Sequence, residues 1–330
     1  MDRTGAACYI YAKTSGMLAK SFTGQRAKIL FETKTLPELW SLLFKEEIPA
    51  VPQTILAQLI EKKATQKFIA EYKKLLELYS KPDVVLKNLI HWFDFENLKN
   101  AAAYLATGRS EKPDFSDITP FNILDYSQWP DVQKMTEKNE LAWYNKVPEV
   151  DEQQMLSHDL DMQFVRNLLK GADKLSIGQR NAVRKLILWR YSMKNVIWVM
   201  RLKVYYNMKE DEIRKQIVYL DESKGVNDLF AGEALKIIGY DINSYEQWSK
   251  WKHSALINDI KDGKVWKLDP QVVEEKCSND FYLLMRRSFH KEPFSALVMV
   301  AWFFIKQNEL DNIRTATEAI RLNVQLEQAV

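Results

Sequence analysis

The sequence predicts an all-α protein. Apolar residues recur at three- and four-residue steps, helix start and stop signals bracket those stretches, and only 10 glycines and 10 prolines interrupt 330 residues, too few for a turn-rich β fold. No strand-like alternation competes with this reading.

Taken in order, the first sixteen residues, MDRTGAACYIYAKTSG, contain no apolar run long enough for the core of a signal peptide. Thr35 and Glu38 have capping-box spacing and predict a helix start. Ile55, Leu56, Leu59 and Ile60, then Phe68, Ile69, Tyr72, Leu75, Leu76 and Tyr79, form the apolar stripe of an amphipathic helix. Its other face mixes Lys62, Lys63, Lys67, Lys73 and Lys74 with Glu61, Glu71 and Glu77, a pattern expected to face solvent. Gly108 and Gly171 stand just beyond periodic stretches and read as helix stops. Ser176 with Gln179 repeats the capping-box spacing, and Asp269-Pro270 places a cap before a first-turn proline. The longest apolar stretch, Phe294 to Ile305, has 12 residues, whereas a membrane span needs about 20. It reads as a buried core helix of a soluble protein.

Internal repetition organises these elements. Tyr126-Ser127-Gln128-Trp129 returns 119 residues on as Tyr245-Glu246-Gln247-Trp248. Asp151 and Asp269 open helical stretches 118 apart, and Asn195-Val196 returns 117 on as Asn312-Ile313. Asn97-Leu98 supplies a third copy of the last element, and the stretch 221–240 reads as an insertion in the second repeat. The expected division is three helical subdomains, 5–125, 126–244 and 245–330, packed as one unit about a pseudo-threefold axis. In each, an apolar helix precedes the asparagine. Asn97, Asn195 and Asn312 therefore read as structural corners, where the side chain satisfies backbone groups between two helices.

Composition narrows the function. The 47 basic and 44 acidic residues leave a net charge of +3, which gives no electrostatic case for binding nucleic acid. Two cysteines, Cys8 and Cys277, lack CxxC spacing and fit a reduced cytoplasmic protein without a structural metal. Neither a GxxxxGKS/T loop nor a GxGxxG motif is present, so nothing predicts a bound nucleotide or other cofactor. No serine sits in a GxSxG elbow. His158, Asp159 and Asp161 come nearest to a metal cluster, but on a helix they read as a solvated face. His91 and His290 lie beside aromatics at the core edge, and His253 has no carboxylate at triad-like spacing. Ten tryptophans are many; Trp129, Trp248 and Trp251 fall near repeat junctions, where they pack subdomains or, for Trp251, meet a partner. Arg286 and Arg287, near a predicted helix end, are the better candidates for polar recognition of a partner.

Four strings together resemble a family of V/A-type ATPase rotor connectors, the prokaryotic C-type and eukaryotic d-type subunits. Tyr9 to Met17 is similar to the family's opening Tyr-x-x-Ala-Arg-x-x-Gly-Met, with Lys13 in place of arginine. Asp94-Phe95-Glu96-Asn97-Leu98, running on to Thr107-Gly108-Arg109, resembles the first family corner. Asn195-Val196 with Arg201-Leu202-Lys203 resembles the second, although Met193 stands where aspartate is usual. Phe304 to Arg314 is similar to the C-terminal signature.

The resemblance implies a funnel-shaped, non-catalytic rotor component at the cytoplasmic face of the membrane. It implies the central-stalk subunits as partners at one end and the proteolipid ring at the other. Torque would pass between ATP hydrolysis or synthesis and proton or sodium transport, with nucleotide bound only by other subunits. Two other classes remain open: a generic cytosolic helical-repeat adaptor, and an all-α enzyme with a site assembled between subdomains.

Overall fold

The computed structural model describes residues 3–109, 111–149, 152–260 and 265–324. Among the described residues are fourteen α-helices, four short 3-10 turns and no β-strand. In chain order they are α1 (Arg3–Leu18), α2 (Ala27–Phe31), α3 (Leu36–Leu43), α4 (Gln53–Leu76), α5 (Val84–Ile90), α6 (Trp92–Ala106) and α7 (Val132–Thr136). There follow α8 (Gln153–Asp173), α9 (Ile177–Tyr206), α10 (Glu210–Arg214), α11 (Gly232–Ile237), α12 (Tyr245–Ser249), α13 (Pro270–Lys291) and α14 (Ala296–Leu322). The all-α expectation holds.

The start signals act as local chemistry requires, with one exception. Thr35 Oγ1 accepts the Glu38 N–H at 3.3 Å, and the Asp269 carboxylate accepts the Gln271 N–H at 3.0 Å with Pro270 at the first helical position. Ser176 precedes α9 but its side chain makes no capping bond. Its expected partner, Gln179, instead turns toward the first N–H of α14, at Ala296. Asp151, expected to open a helix, lies outside the described residues.

The stop signals divide. Gly108 ends α6 with φ +75°, a left-handed conformation that costs glycine nothing. Gly171 lies inside α8, so the reading as a stop is corrected. A Cβ there would sit 2.8 Å from the Val85 Cα on α5. The glycine serves a close helix–helix approach.

The 12-residue apolar stretch forms the centre. Every residue from Ala296 to Gln307 is buried, and α14 packs against α13, α4, α9, α5, α3, α2 and α1. A helix apolar all round belongs in a core, and among the described residues no helix is long and apolar enough to cross a membrane. Phe68 and Tyr72 of α4 meet Phe303 at ring separations of 5.1 and 5.0 Å, and Tyr72 stacks on Trp302 at 6.0 Å. A smaller second core gathers Met193 to Leu202 of α9, the segments of α10 to α12, Trp266, and Val273 and Cys277 of α13.

Contacts between the long helices follow a pattern. Helix α5 packs on α8, α9 on α13, and α14 on α4, while α8–α9 and α13–α14 form antiparallel hairpins. The residues before α3, which the sequence grouped with the first subdomain, pack through α1 and α2 against α14.

Candidate docking site

The three asparagines do not stand at corners. Asn97 lies within α6, Asn195 midway along α9 and Asn312 midway along α14, so that expectation is corrected. Mid-helix, the backbone groups of their own helix are already paired, and the side chains reach elsewhere. Asn97 Nδ2 donates to the Ser116 carbonyl at 2.9 Å while its Oδ1 accepts the Ser116 N–H at 2.9 Å. Asn195 clasps Val218 in the same two-bond manner, at 2.8 and 3.0 Å, and also donates to the Phe230 carbonyl at 3.1 Å. Asn312 donates to the Phe22 carbonyl at 3.1 Å, and Glu309, one turn earlier, accepts the Phe22 N–H at 2.8 Å. Each helix thereby holds an irregular segment by both polar groups of one residue. The clasped residue follows by 19 and 23 positions in the first two cases and lies 290 positions away, near the N-terminus, in the third.

Position −3 adds to two of these clasps. Buried Asp94 accepts the Ile123 N–H at 2.6 Å and the Tyr126 hydroxyl, which in turn accepts from Asn97. Burial pushes the Asp94 carboxyl up to about 6, although those bonds oppose the rise. One turn back, burial pushes His91 down to about 4, against a bond to the Phe121 backbone and with Lys87 adding to the fall.

The signs of these two shifts are opposite. The raised Asp94 contributes stability that is full below about pH 4 and is lost as pH rises through about 6. The lowered His91 contributes stability that is full above about 6.5 and is lost as pH falls through about 4. Each is worth about 3 kcal/mol, so between about pH 4 and 6 they offset one another in the native chain. Asp94→Asn should unmask the histidine, giving a Tm that falls on acidification through this window. His91→Gln should give a Tm that falls on raising the pH instead. Thermal melts across the window check both slopes; parallel profiles for the two variants would contradict the assignment.

The residues directly before the asparagines form a charged centre. They are Glu96 on α6, Lys194 on α9 and Asp311 on α14. Lys194 is exposed to solvent, yet desolvation by the surrounding protein pushes its ammonium down to about 8. Arg190 acts in the same direction, while Asp311, Asp161 and Glu96 oppose it. We take an ammonium that is open to water and yet crowded by protein to mark a recess between these helices. The walls are ordered. Lys99 Nζ bridges Glu96 at 2.9 Å and Asp161 at 2.6 Å. Arg190 donates to Gln307 at 3.1 Å and lies over the Phe304 and Phe281 rings at 4.9 and 5.3 Å. Asp161, read as solvated beside His158, thus belongs to this recess.

With its pKa near 8, Lys194 should carry a neutral fraction roughly three-hundredfold higher at neutral pH than an ordinary lysine. Limited acetylation followed by peptide mass mapping should find it among the first lysines modified. A rate below those of Lys13 and Lys20, both exposed, would contradict this environment.

The other predicted interface residues fall elsewhere. Arg286 and Arg287 are exposed on α13, and Arg286 lines a groove against α1 and the residues after it. Trp251 is buried in the second core, edge-to-face with Trp248 at 6.0 Å, so its assignment to a partner surface is corrected. Trp248 and His253 pack against its indole within the second core, which sequence position near a junction does not reveal. Reasoning from sequence missed Glu96, Lys194 and Asp311. The available signal was their fixed place beside a repeated asparagine.

The family described as ATP synthase (C/AC39) subunit matches residues 10–329 of the chain. A relative from Treponema pallidum (strain Nichols), described as an uncharacterized protein, is 26% identical over 324 residues, covering 97% of this chain and 94% of that protein.

Proposed function

Because the chain belongs to the ATP synthase (C/AC39) subunit family, we propose that it is the non-catalytic rotor connector of a V/A-type ATPase, seating the central stalk and resting on the proteolipid ring. In this reading it lies peripheral to the membrane and carries torque between ATP turnover and ion transport. One observation supports it most: charges from α6, α9 and α14 act on one another around Lys194, with α14 packed on α9 and α6 joined to α9 through α8. A recess with both signs of charge can fix the register of a docked stalk tip, because misaligned like charges repel. Densely packed helices resist the twist that docking must transmit.

The proposal includes a funnel-like body of three related units. The sequential contacts α5–α8, α9–α13 and α14–α4 support such a ring, with each hairpin leaning on the next. The clasp on Phe22 suggests that the third unit takes its crossing segment from the N-terminal residues, closing the ring through the chain's other end.

The test is binding to purified stalk subunits and, separately, to the detergent-solubilised ring. Lys194→Glu with Asp311→Lys should weaken stalk binding at least tenfold while sparing ring binding and Tm. Stalk binding should also shield Lys194 from acetylation. A chain that bound neither stalk nor ring would overturn the proposal in favour of a cytosolic adaptor, and unchanged stalk affinity in the double variant would remove the recess from it.

A further inference from the structure

A groove of 730 Å³ lies on another part of the molecule, between the C-terminal half of α1, the segment after it, and one face of α13. On α13 the lining residues Asn279, Tyr282, Leu283, Arg286 and His290 recur at helical spacing, so about 16 Å of helix edge faces the groove. No carboxylate lines it among the described residues; its charged groups are Arg26 and Arg286. Both arginines are exposed and neither has an ion-pair partner among the described residues. Each is anchored at its stem: Arg26 Nε donates to the Ser21 carbonyl at 3.3 Å, and the Arg286 guanidinium lies 6.0 Å from the Tyr282 ring centroid. Among the described residues, their remaining donors meet no acceptor.

Cations outnumber acids on the flanks. Of the residues next in sequence to the lining ones or two positions on, Lys20, Lys28, Arg287 and Lys291 are exposed cations, against exposed Asp280 and half-buried Glu292. From residue 13 to residue 31 there are four basic residues and no acidic one. This local excess stands out in a chain whose net charge is only +3. Apolar surface lies between the cations, since Leu283 is 48% exposed in the groove with Leu18 across from it. The floor is shaped by Gly24, whose φ of +55° lets the backbone turn beneath Tyr282; a Cβ there would lie 2.8 Å from that ring.

We propose that this groove docks an acidic amphipathic helix of a partner protein, at a surface separate from the charged recess. Shape favours a helix over a membrane surface, because the groove runs about 16 Å along α13 with apolar Leu283 and Leu18 between its cations, the length and mixed lining that an amphipathic helix fills. Fork-shaped guanidiniums on one side suit paired carboxylates, and Leu283 with Leu18 suits the apolar stripe of the same helix. About three turns of partner would fill the groove length.

The test places a photo-crosslinking p-benzoylphenylalanine at Leu283 in the full chain expressed in its cells, with the adduct mapped by mass spectrometry. The expected adduct joins a partner segment bearing carboxylates at i and i+4 beside apolar residues. Arg26→Glu with Arg286→Glu should cut its yield at least tenfold without changing Tm, and a peptide of the mapped segment should bind the purified protein with the same dependence and weaken with salt. An adduct to lipid, flotation with phosphatidylglycerol vesicles that depends on Arg286, or a mapped segment without carboxylates would each overturn the proposal. So would an adduct that survives charge reversal, or the absence of any.

Discussion

Lys306→Met should destabilise the fold by about 3–5 kcal/mol, the largest single-residue effect expected here, because it leaves two carboxylates facing a low-dielectric interior. Lys306 is buried on α14, in ion pairs with Glu309 on its own helix and with Glu71 of α4 at 3.3 Å. Burial alone would lower its pKa, but Glu309 and Glu71 outweigh that and hold it above the ordinary value. The surrounding contacts make the loss reach further. Glu309 also holds the Phe22 N–H, so a repelled Glu309 loosens the N-terminal segment as well as the α4–α14 contact.

Adding Glu309→Gln should recover a substantial part of the loss, since the amide carbonyl still accepts from Phe22 without a buried charge. Tm and denaturant midpoints check the series. Equal stability for Lys306→Met and the native chain would mean that water reaches the pair. Glu71 illustrates why this network was not foreseen: its place among lysines on α4 read as a solvated face.

Asn195→Leu should cost about 3 kcal/mol or more. It keeps the side-chain volume but strips partners from the Val218 N–H, the Val218 carbonyl and the Phe230 carbonyl, and a buried backbone group left unpaired costs about 1–3 kcal/mol. Asn97→Leu should approach this value, because it loses both Ser116 bonds and the Tyr126 hydroxyl. Asn312→Leu should cost only about 1 kcal/mol, since Asn312 is half-buried, bonds one carbonyl, and leaves the Phe22 N–H on Glu309. Hydrogen exchange at Val218 should accelerate in the Asn195 variant while the amides of α14 remain protected. A ranking in which Asn312 dominates would contradict the geometry of the clasps.

The asparagines mark the boundary between local and tertiary information. Their repetition was legible, as was the need of an amide for backbone partners. Their partners were not. Asparagine is a poor helix-interior residue, so by local preference it reads as an end, and only a crossing segment 19, 23 or 290 positions away justifies it mid-helix. Gly171 repeats the lesson, because a glycine that ends a helix and one that admits a neighbouring helix are the same letter until α5 is in place. Trp251 fails in the same way: an indole suits both a core and an interface, and burial against Trp248 decides.

What the sequence by itself determined is whatever rests on near neighbours: the all-α class, the caps at Thr35 and Asp269, the stop at Gly108, the burial of Ala296 to Ile305, and the ordered strings that carry the family likeness. Helices are set by contacts within about one turn, so their signals survive in the linear chain. Only the tertiary structure decided which charges meet. Glu96, Lys194 and Asp311 carry no signal of one another along the chain, and they meet because α14 packs on α9 while α8 joins α6 to α9. Long-range electrostatics and polar pairing depend on distances in space that no spacing along the chain encodes.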